Sequence, residues 1–247
     1  MSKSIHLIMP MAGSGSRFFN QGYAIPKPLI PINNKPFFYW ATMSIAKFVE
    51  LRSLTFVVLQ EHIEKFQIDT TILEYFPTAK IRILQEVLNG AVLTSTEGTK
   101  DITDDAPIVF NDCDHMFQCN SFVQFCNKGK FDTPDGALLT FESNDPKFSF
   151  LAYDEAGNVI KTVEKQVISN DAICGAYYFK NRAIFAEAVQ KYLRVCEYKE
   201  FFMSGVYNIM AEEQKKISSF RVDWHLPYGT PEEYEVAKDS QLFRVVE

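Results

Sequence analysis

Ile5-His6-Leu7-Ile8-Met9-Pro10-Met11-Ala12-Gly13-Ser14-Gly15-Ser16-Arg17-Phe18 passes from an apolar run of strand length into a loop of small residues, and the loop ends on an arginine. Gly13 and Gly15 can take backbone angles closed to other residues. Successive amides of Met11, Ala12, Gly13, Ser14, Gly15 and Ser16 can then turn inward around an anion. Ser14 and Ser16 add hydroxyl donors, and Arg17 adds a fixed fork of donors suited to phosphate oxygens. Open α/β sheets bind ligands at the carboxyl ends of their strands, which is where this loop falls. The spacing is neither G-x-G-x-x-G nor a P-loop. A plain glycine-rich turn between strand and helix therefore stays open as an alternative.

Further strand-length apolar runs recur at 54–59, 81–84, 107–110 and 136–141. Continuous apolar strands imply burial on both faces, as in a parallel sheet flanked by helices. Phe38, Thr42, Ile45 and Val49 recur at helix spacing, as do Phe185, Val189 and Leu193. Beyond about Phe141 the texture changes. The runs 149–153 and 159–163 flank Asp154-Glu155-Ala156-Gly157-Asn158, which reads as a hairpin turn. Another strand is expected over 172–179. The pattern predicts one α/β domain whose mainly parallel first half passes into a mixed second half.

The chain has 247 residues, 47% of them hydrophobic, which suffices for a core without covalent staples. Cys113, Cys119, Cys126, Cys174 and Cys196 show no C-x-x-C pair and no zinc spacing, so reduced, mostly buried thiols are expected. The net charge of −6 argues against binding nucleic acid through a broad basic patch. A polyphosphate ligand would need a metal ion to offset this acidic field. The opening apolar run is too short for a signal-peptide core. No membrane-spanning stretch of ~18 residues occurs, so a cytoplasmic enzyme is expected, without a membrane partner.

Pro26-Lys27-Pro28-Leu29-Ile30-Pro31-Ile32 follows the loop, and then Asn33-Asn34-Lys35-Pro36. Prolines on both sides of Lys27 fix the backbone and pre-aim its ammonium. Such a cation suits charge developing on phosphate oxygens. Without the first motif, a solvated lysine in a proline-rich loop would serve equally well. Phe110-Asn111-Asp112-Cys113-Asp114-His115-Met116-Phe117 closes another apolar strand. Two carboxylates two residues apart can share a hard cation, and magnesium favours a few carboxylates plus phosphate oxygens and water. His115 reads as a structural neighbour.

The loop, the Lys27 segment and the aspartates together resemble the nucleotidylyltransferase family, the pyrophosphorylases that make sugar nucleotides. That family opens with a glycine-rich loop ending in arginine, then Lys-Pro-Leu-x-Pro-Ile and a Lys-Pro step into a helix. The resemblance runs from about residue 5 to residue 235. It implies a Rossmann-like, three-layer domain of GT-A type over 1–247, with a mainly parallel mixed central sheet and a smaller acceptor-side β region. About 1–135 would form the nucleotide half and about 136–247 the acceptor half.

The resemblance also implies roles. Arg17 steadies the triphosphate and the leaving pyrophosphate, and Lys27 binds phosphates at the reacting centre. The loop from Met11 to Ser16 holds the nucleotide. Asp114 matches the metal-binding aspartate, with Asp112 as helper or ribose ligand, and magnesium is the implied cofactor. Gln85 and Asn89-Gly90-Ala91 resemble the stretch that reads the base. Glu164-Lys165 and Gly175 resemble the acceptor-binding positions, and Gly229-Thr230-Pro231-Glu232-Glu233 a late Gly-Thr-Pro signature.

Two departures stand out. Many sugar-specific members have an asparagine where this chain has Ile173. Many also carry a second metal-binding aspartate where this chain has Pro227, and Asp223 is the nearby substitute. Phe150, Glu164-Lys165 and Tyr177-Tyr178-Phe179 look most like capsule-locus members. The resulting expectation is transfer of a nucleotide from a triphosphate, CTP foremost, to a phosphorylated small molecule such as L-glutamine phosphate, with release of pyrophosphate. A sugar 1-phosphate with UTP or dTTP is the alternative. Asp112-Cys113-Asp114 also fits a metal-dependent glycosyltransferase, although such an enzyme has no need of Arg17 with Lys27. A non-catalytic nucleotide-binding domain is the remaining rival. The sequence leaves a homo-oligomer open.

Overall fold

The computed structural model describes residues 4–128 and 134–246. Its strands are β1 (Ile5–Pro10), β2 (Pro31–Ile32), β3 (Lys35–Pro36), β4 (Leu51–Leu59), β5 (Lys80–Leu84), β6 (Ile108–Asn111) and β7 (His115–Gln118). They continue with β8 (Gly136–Glu142), β9 (Ser149–Tyr153), β10 (Val159–Glu164), β11 (Asp171–Phe179), β12 (Ile217–Arg221) and β13 (Trp224–Pro227). The helices are α1 (Ser16–Phe19), α2 (Phe37–Ala46), α3 (Gln60–Phe66), α4 (Ile68–Tyr75) and α5 (Ala91–Gly98). After them come α6 (Asn120–Lys128), α7 (Arg182–Val195), α8 (Met203–Glu212), α9 (Pro231–Ala237) and α10 (Phe243–Val246).

The central sheet runs β5-β4-β1-β6-β11-β8-β12. Its first four strands are mutually parallel. β11 enters antiparallel to β6 and to β8. The end of β11 pairs with β6, while its start touches β9 through Ala172 and Phe150. β9 and β10 form the expected hairpin.

β1 shows why the sheet is covered on both sides. Side chains alternate across a strand. Ile5, Leu7 and Met9 meet residues of α2, α4 and α6, among them Phe38, Ile72 and Phe122. Ile8 points the other way, into a layer with Val92 of α5, Phe185 of α7 and Val206 of α8. The result is a three-layer, Rossmann-like α/β domain with a mainly parallel mixed sheet. A third apolar cluster, with Phe18, Trp40, Tyr228 and Phe243, lies under α1, α9 and α10. Among the described residues no helix is long and apolar enough to cross a membrane.

The expected strands all appear, with ends shifted by a few residues. The run 81–84 is not buried on both faces, however. Among the described residues β5 is the sheet edge, paired with β4 alone, and Ile83 is 44% exposed. Val49 falls beyond the end of α2, and Leu193 sits on the outer side of α7. The cysteines are free thiols, four buried and Cys196 half-buried.

Candidate active site

The loop after β1 and the lysine segment are built as neighbours. Gly15 has φ +60 and caps α1, which begins at Ser16. A Cβ on Gly15 would stand 3.2 Å from the Cβ of Lys27, so glycine lets the two segments touch. Lys27 lies in a 3-10 turn over Lys27–Leu29, where the Leu29 amide donates to Pro26 at 2.9 Å and the Ile30 amide to Lys27 at 3.1 Å. The β2–β3 hairpin follows. Its turn residues Asn33 and Asn34 have φ 45 and 63, the left-handed pair a two-residue hairpin requires. This turn delivers Pro36 to the start of α2.

Lys27 Nζ meets Asp114 Oδ2 at 2.7 Å. Burial alone would lower the lysine, but the facing Asp114 carboxylate outweighs it and holds the ammonium above its ordinary range. Burial would likewise raise Asp114, and Lys27 reverses that and keeps it below the usual carboxylate value. Asp112 goes the other way, pushed up by burial and by the charge of Asp114. The two neighbouring carboxylates are thereby set apart, Asp114 held as the anion by Lys27 and Asp112 disfavoured as one.

Both aspartates rest against glycines. The Asp112 amide donates to Gly175 O at 2.9 Å, and a Cβ on Gly175 would sit 2.7 Å from Asp112 Oδ2. Gly175 has φ +96 and lies where the β11–β8 register shifts. A Cβ on Gly229 would sit 2.5 Å from Asp114 Oδ2.

A cavity of about 240 Å³ opens here, at the carboxyl ends of β1 and β6, with Arg17, Asp112, Asp114, Glu164 and Gly175 in its wall. A hollow of about 380 Å³ is lined by Ala12, Gly13, Ser14, Asn89, Gly90 and Ala91. Pro10 and Ala91 belong to both walls, so the two form one cleft. The second hollow falls within the ~300–1,000 Å³ of small-molecule sites, and the first adds to it.

Not every expected residue reaches the cleft. Met11 is buried beneath the loop, its amide donating to Val57 O at 2.9 Å. Exposed Ser16 and Gln85 lie outside both lined walls, and so do Gly15 and Lys27, although Lys27 is bonded to Asp114 in the wall. Lys165 takes φ +55 and points its ammonium at the Phe202 ring, 5.0 Å from the centroid, outside the lining. Asp223 is not brought to the cavity. Its Oδ2 accepts the Asn120 amide at the start of α6, at 2.7 Å.

The cleft also contains residues without a sequence signature. Glu164 accepts from Ser149 Oγ and from Ser204 Oγ, the latter at 3.0 Å. Lys147 and His225 line the same cavity. Asn111 Nδ2 donates to Ala41 O, so its Oδ1 receives His115 Nε2–H at 3.1 Å, and His115 Nδ1 then accepts from His225 Nε2 at 3.2 Å. Burial pushes His115 down to about 4, so it stays neutral and serves as structure. No spacing rule would have found Lys147, in the turn between β8 and β9, or Ser149 and Ser204, at the starts of β9 and α8.

Among the described residues no three His, Cys, Asp or Glu side chains gather as a closed metal site. Asp112 and Asp114 supply two hard oxygen donors, which suits a cation whose remaining ligands come from substrate phosphates and water. Cys113, between them, is buried and pushed up to about 12, so it remains a thiol and no covalent nucleophile.

A family model described as nucleotidyl transferase matches residues 6–240. A glucose-1-phosphate thymidylyltransferase of Neisseria gonorrhoeae is 25% identical over 187 residues, 72% of this chain and 62% of that protein, so the chain spans under two thirds of this relative. The nucleoside-diphosphate-sugar pyrophosphorylase of Vibrio cholerae RC9 superposes with a TM-score of 0.80 at 23% identity, covering 95% of this chain and 100% of that one. The inositol-1-phosphate CTP transferase of T. maritima gives 0.73 at 12% identity, covering 94% of each chain. At these identities the two structures speak for the fold. With the family model spanning nearly the whole chain, Arg17 and the two aspartates in the wall of one strand-end cleft, and Lys27 bonded to Asp114, the protein belongs to the nucleotidyl transferase family.

Proposed function

We propose that the enzyme transfers a nucleotide from a triphosphate, CTP foremost, to a phosphorylated small molecule, and releases pyrophosphate. The carrying observation is Lys27 bonded at 2.7 Å to Asp114 in the wall of a cleft that continues to the Ala12–Ser14 loop on one side and to Glu164 on the other. An acceptor phosphate oxygen attacks the α-phosphorus in line, the bond to the bridging oxygen breaks, and pyrophosphate carries away the electron pair. An acceptor phosphate is nucleophilic at neutral pH without a covalent enzyme intermediate, so catalysis is positioning and charge stabilisation. Arg17 steadies the departing phosphates and Lys27 meets charge at the reacting centre. Asp114 and Asp112 would hold magnesium, which supplies Lewis-acid polarisation of phosphate oxygens when bound.

Ala12, Gly13, Ser14, Asn89, Gly90 and Ala91 form the nucleotide side, with Gln85 as a base contact. Glu164, Gly175 and Lys165 form the acceptor side. Ile173, 5% exposed, lines the acceptor cavity, and this apolar wall favours an acceptor other than an ordinary hexose phosphate. L-glutamine phosphate, feeding capsule or surface-polysaccharide precursors, is the acceptor we favour. A second reading, sugar 1-phosphate with UTP or dTTP, draws on the thymidylyltransferase relative. A substrate matrix separates them: each triphosphate against sugar phosphates, amino-alcohol phosphates and amide-linked phosphates, with magnesium present and pyrophosphate detected. CTP with glutamine phosphate is expected to give the highest turnover. Pyrophosphate from a sugar phosphate alone would move the assignment to the second reading, and nucleotide binding without any product would refute transfer.

A further inference from the structure

The Gly229-Thr230-Pro231-Glu232-Glu233 segment starts α9 with a reciprocal cap. Thr230 Oγ1 accepts the Glu233 amide at 3.2 Å, and Glu233 Oε2 accepts the Thr230 amide at 3.1 Å. Such a box satisfies the first amides of a helix by itself. Glu233 makes two further contacts. Its Oε2 also accepts the Gly229 amide at 3.0 Å, and its Oε1 meets Lys147 Nζ at 2.9 Å.

Lys147 comes from the turn between β8 and β9, on the acceptor side of the cavity, where its ammonium also meets Asp145 Oδ2 at 3.0 Å. The bridge therefore ties the acceptor wall to the turn before α9. That turn is what Asp114 leans on. Gly229 is pressed against the Asp114 carboxylate, and the Tyr228 amide donates to Asp114 O at 2.9 Å. The Tyr228 hydroxyl donates to His115 O at 2.8 Å and fixes the far side of the turn.

We propose that Lys147 is a positioning residue for Asp114: through Glu233 it holds the Gly229 turn against this carboxylate and sets its orientation toward a divalent cation. The proposal rests on the reading of Asp114 as a metal ligand. The Glu233 side chain is 14% exposed, so its charge has little water to answer it, and Lys147 supplies the compensating cation. Without that cation Glu233 turns toward solvent and gives up the Gly229 amide. The turn can then recede, and Asp114 loses its backing. Groups that orient a metal-binding carboxylate typically change metal affinity by about 10–100-fold when removed.

A helix cap alone predicts lost stability and nothing more, so the test reads metal affinity. Manganese is titrated by water-proton relaxation, with inorganic pyrophosphate as the shared product of every candidate donor. Lys147→Met should weaken manganese binding about tenfold or more. Lys147→Arg should restore most of it, and Glu233→Gln should behave like Lys147→Met. Melting temperatures, taken alongside, should show each variant folded. Manganese affinity within twofold of wild type in both Lys147→Met and Glu233→Gln would overturn the proposal. So would an Asp114→Asn chain that binds manganese as tightly as wild type. No acceptor enters the measurement. A wild-type enzyme that binds manganese yet makes no product in the substrate matrix therefore sinks the proposed reaction and leaves this inference standing.

Discussion

Replacing Gly175 by alanine probes how Asp112 is held. A Cβ there would lie 2.7 Å from Asp112 Oδ2, about 0.7 Å inside ordinary contact, with the Asp112 Cβ and Cγ both at 3.3 Å. The neighbour is a short, half-buried side chain whose own amide is bonded to Gly175 O, so it cannot swing away freely. Asp112 must retreat by several tenths of an ångström. A misplacement of about 1 Å in a reacting assembly costs about 10²-fold in rate, so a loss of roughly 10–100-fold is expected. The φ of +96 adds a backbone cost of about 1–3 kcal/mol. For a chain of this size that is a melting point lower by roughly 2–12 °C. Gly157→Ala is the control. It has φ +82 in the Asp154–Asn158 turn and nothing within 4 Å of its Cβ, so it carries the backbone cost away from the cleft. Pyrophosphate release and melting temperature are measured on both variants. The reasoning fails if Gly175→Ala keeps turnover within threefold of wild type, or if Gly157→Ala loses as much activity.

Lys27→Ala should lower turnover by about 10²-fold or more, as for loss of one transition-state donor, and near-normal turnover would remove Lys27 from its role. Tyr207→Phe strips a buried hydroxyl that donates to Ala137 O and Tyr178 O, both at 2.9 Å. It should cost about 1–3 kcal/mol in equilibrium denaturation with kinetic constants unchanged. Asp104 is held at about 2 by the Ala106 amide first, then by His6 and Arg52. Its depressed value means the stabilisation is present above pH ~4 and fades as pH falls toward 2. Asp104→Asn should therefore melt lower than wild type at pH 7, with the gap closing between pH 4 and 2. A gap of constant size across that range would refute the assignment.

The parallel layer was legible because the runs 5–9, 54–59 and 107–110 are mostly apolar, the mark of strands covered on both faces. β7, β12 and β13 were not. His115–Gln118 and Trp224–Pro227 mix polar and aromatic residues, and each becomes a strand only by pairing with the other from far along the chain. The glycine loop, Lys27 and the two aspartates could be read because rigid local sequence carries them. Lys165 could not be placed from its neighbour Glu164. β10 ends at Glu164, and Lys165, with left-handed backbone, packs its ammonium on the Phe202 ring while Glu164 enters the cavity wall. Asp223 looked close to the site in sequence, but the residue after it starts β13 and its own carboxylate turns back to α6. Lys147 matters through Glu233, a contact that sequence spacing does not encode.

β11 also bears on how the protein can be made. Synthesis delivers β1, β4, β5 and β6 first, yet the outer edge of β6 waits for Ala176–Phe179 to arrive from downstream. Until then Ile108-Val109-Phe110 presents a bare apolar border to any passing chain, which is how aggregates are seeded. The nascent polypeptide thus has a vulnerable interval on the ribosome that ends only when this strand slots between β6 and β8. A fragment stopped before Asp171 should clump, and supplying the missing segment as a separate peptide should rescue it.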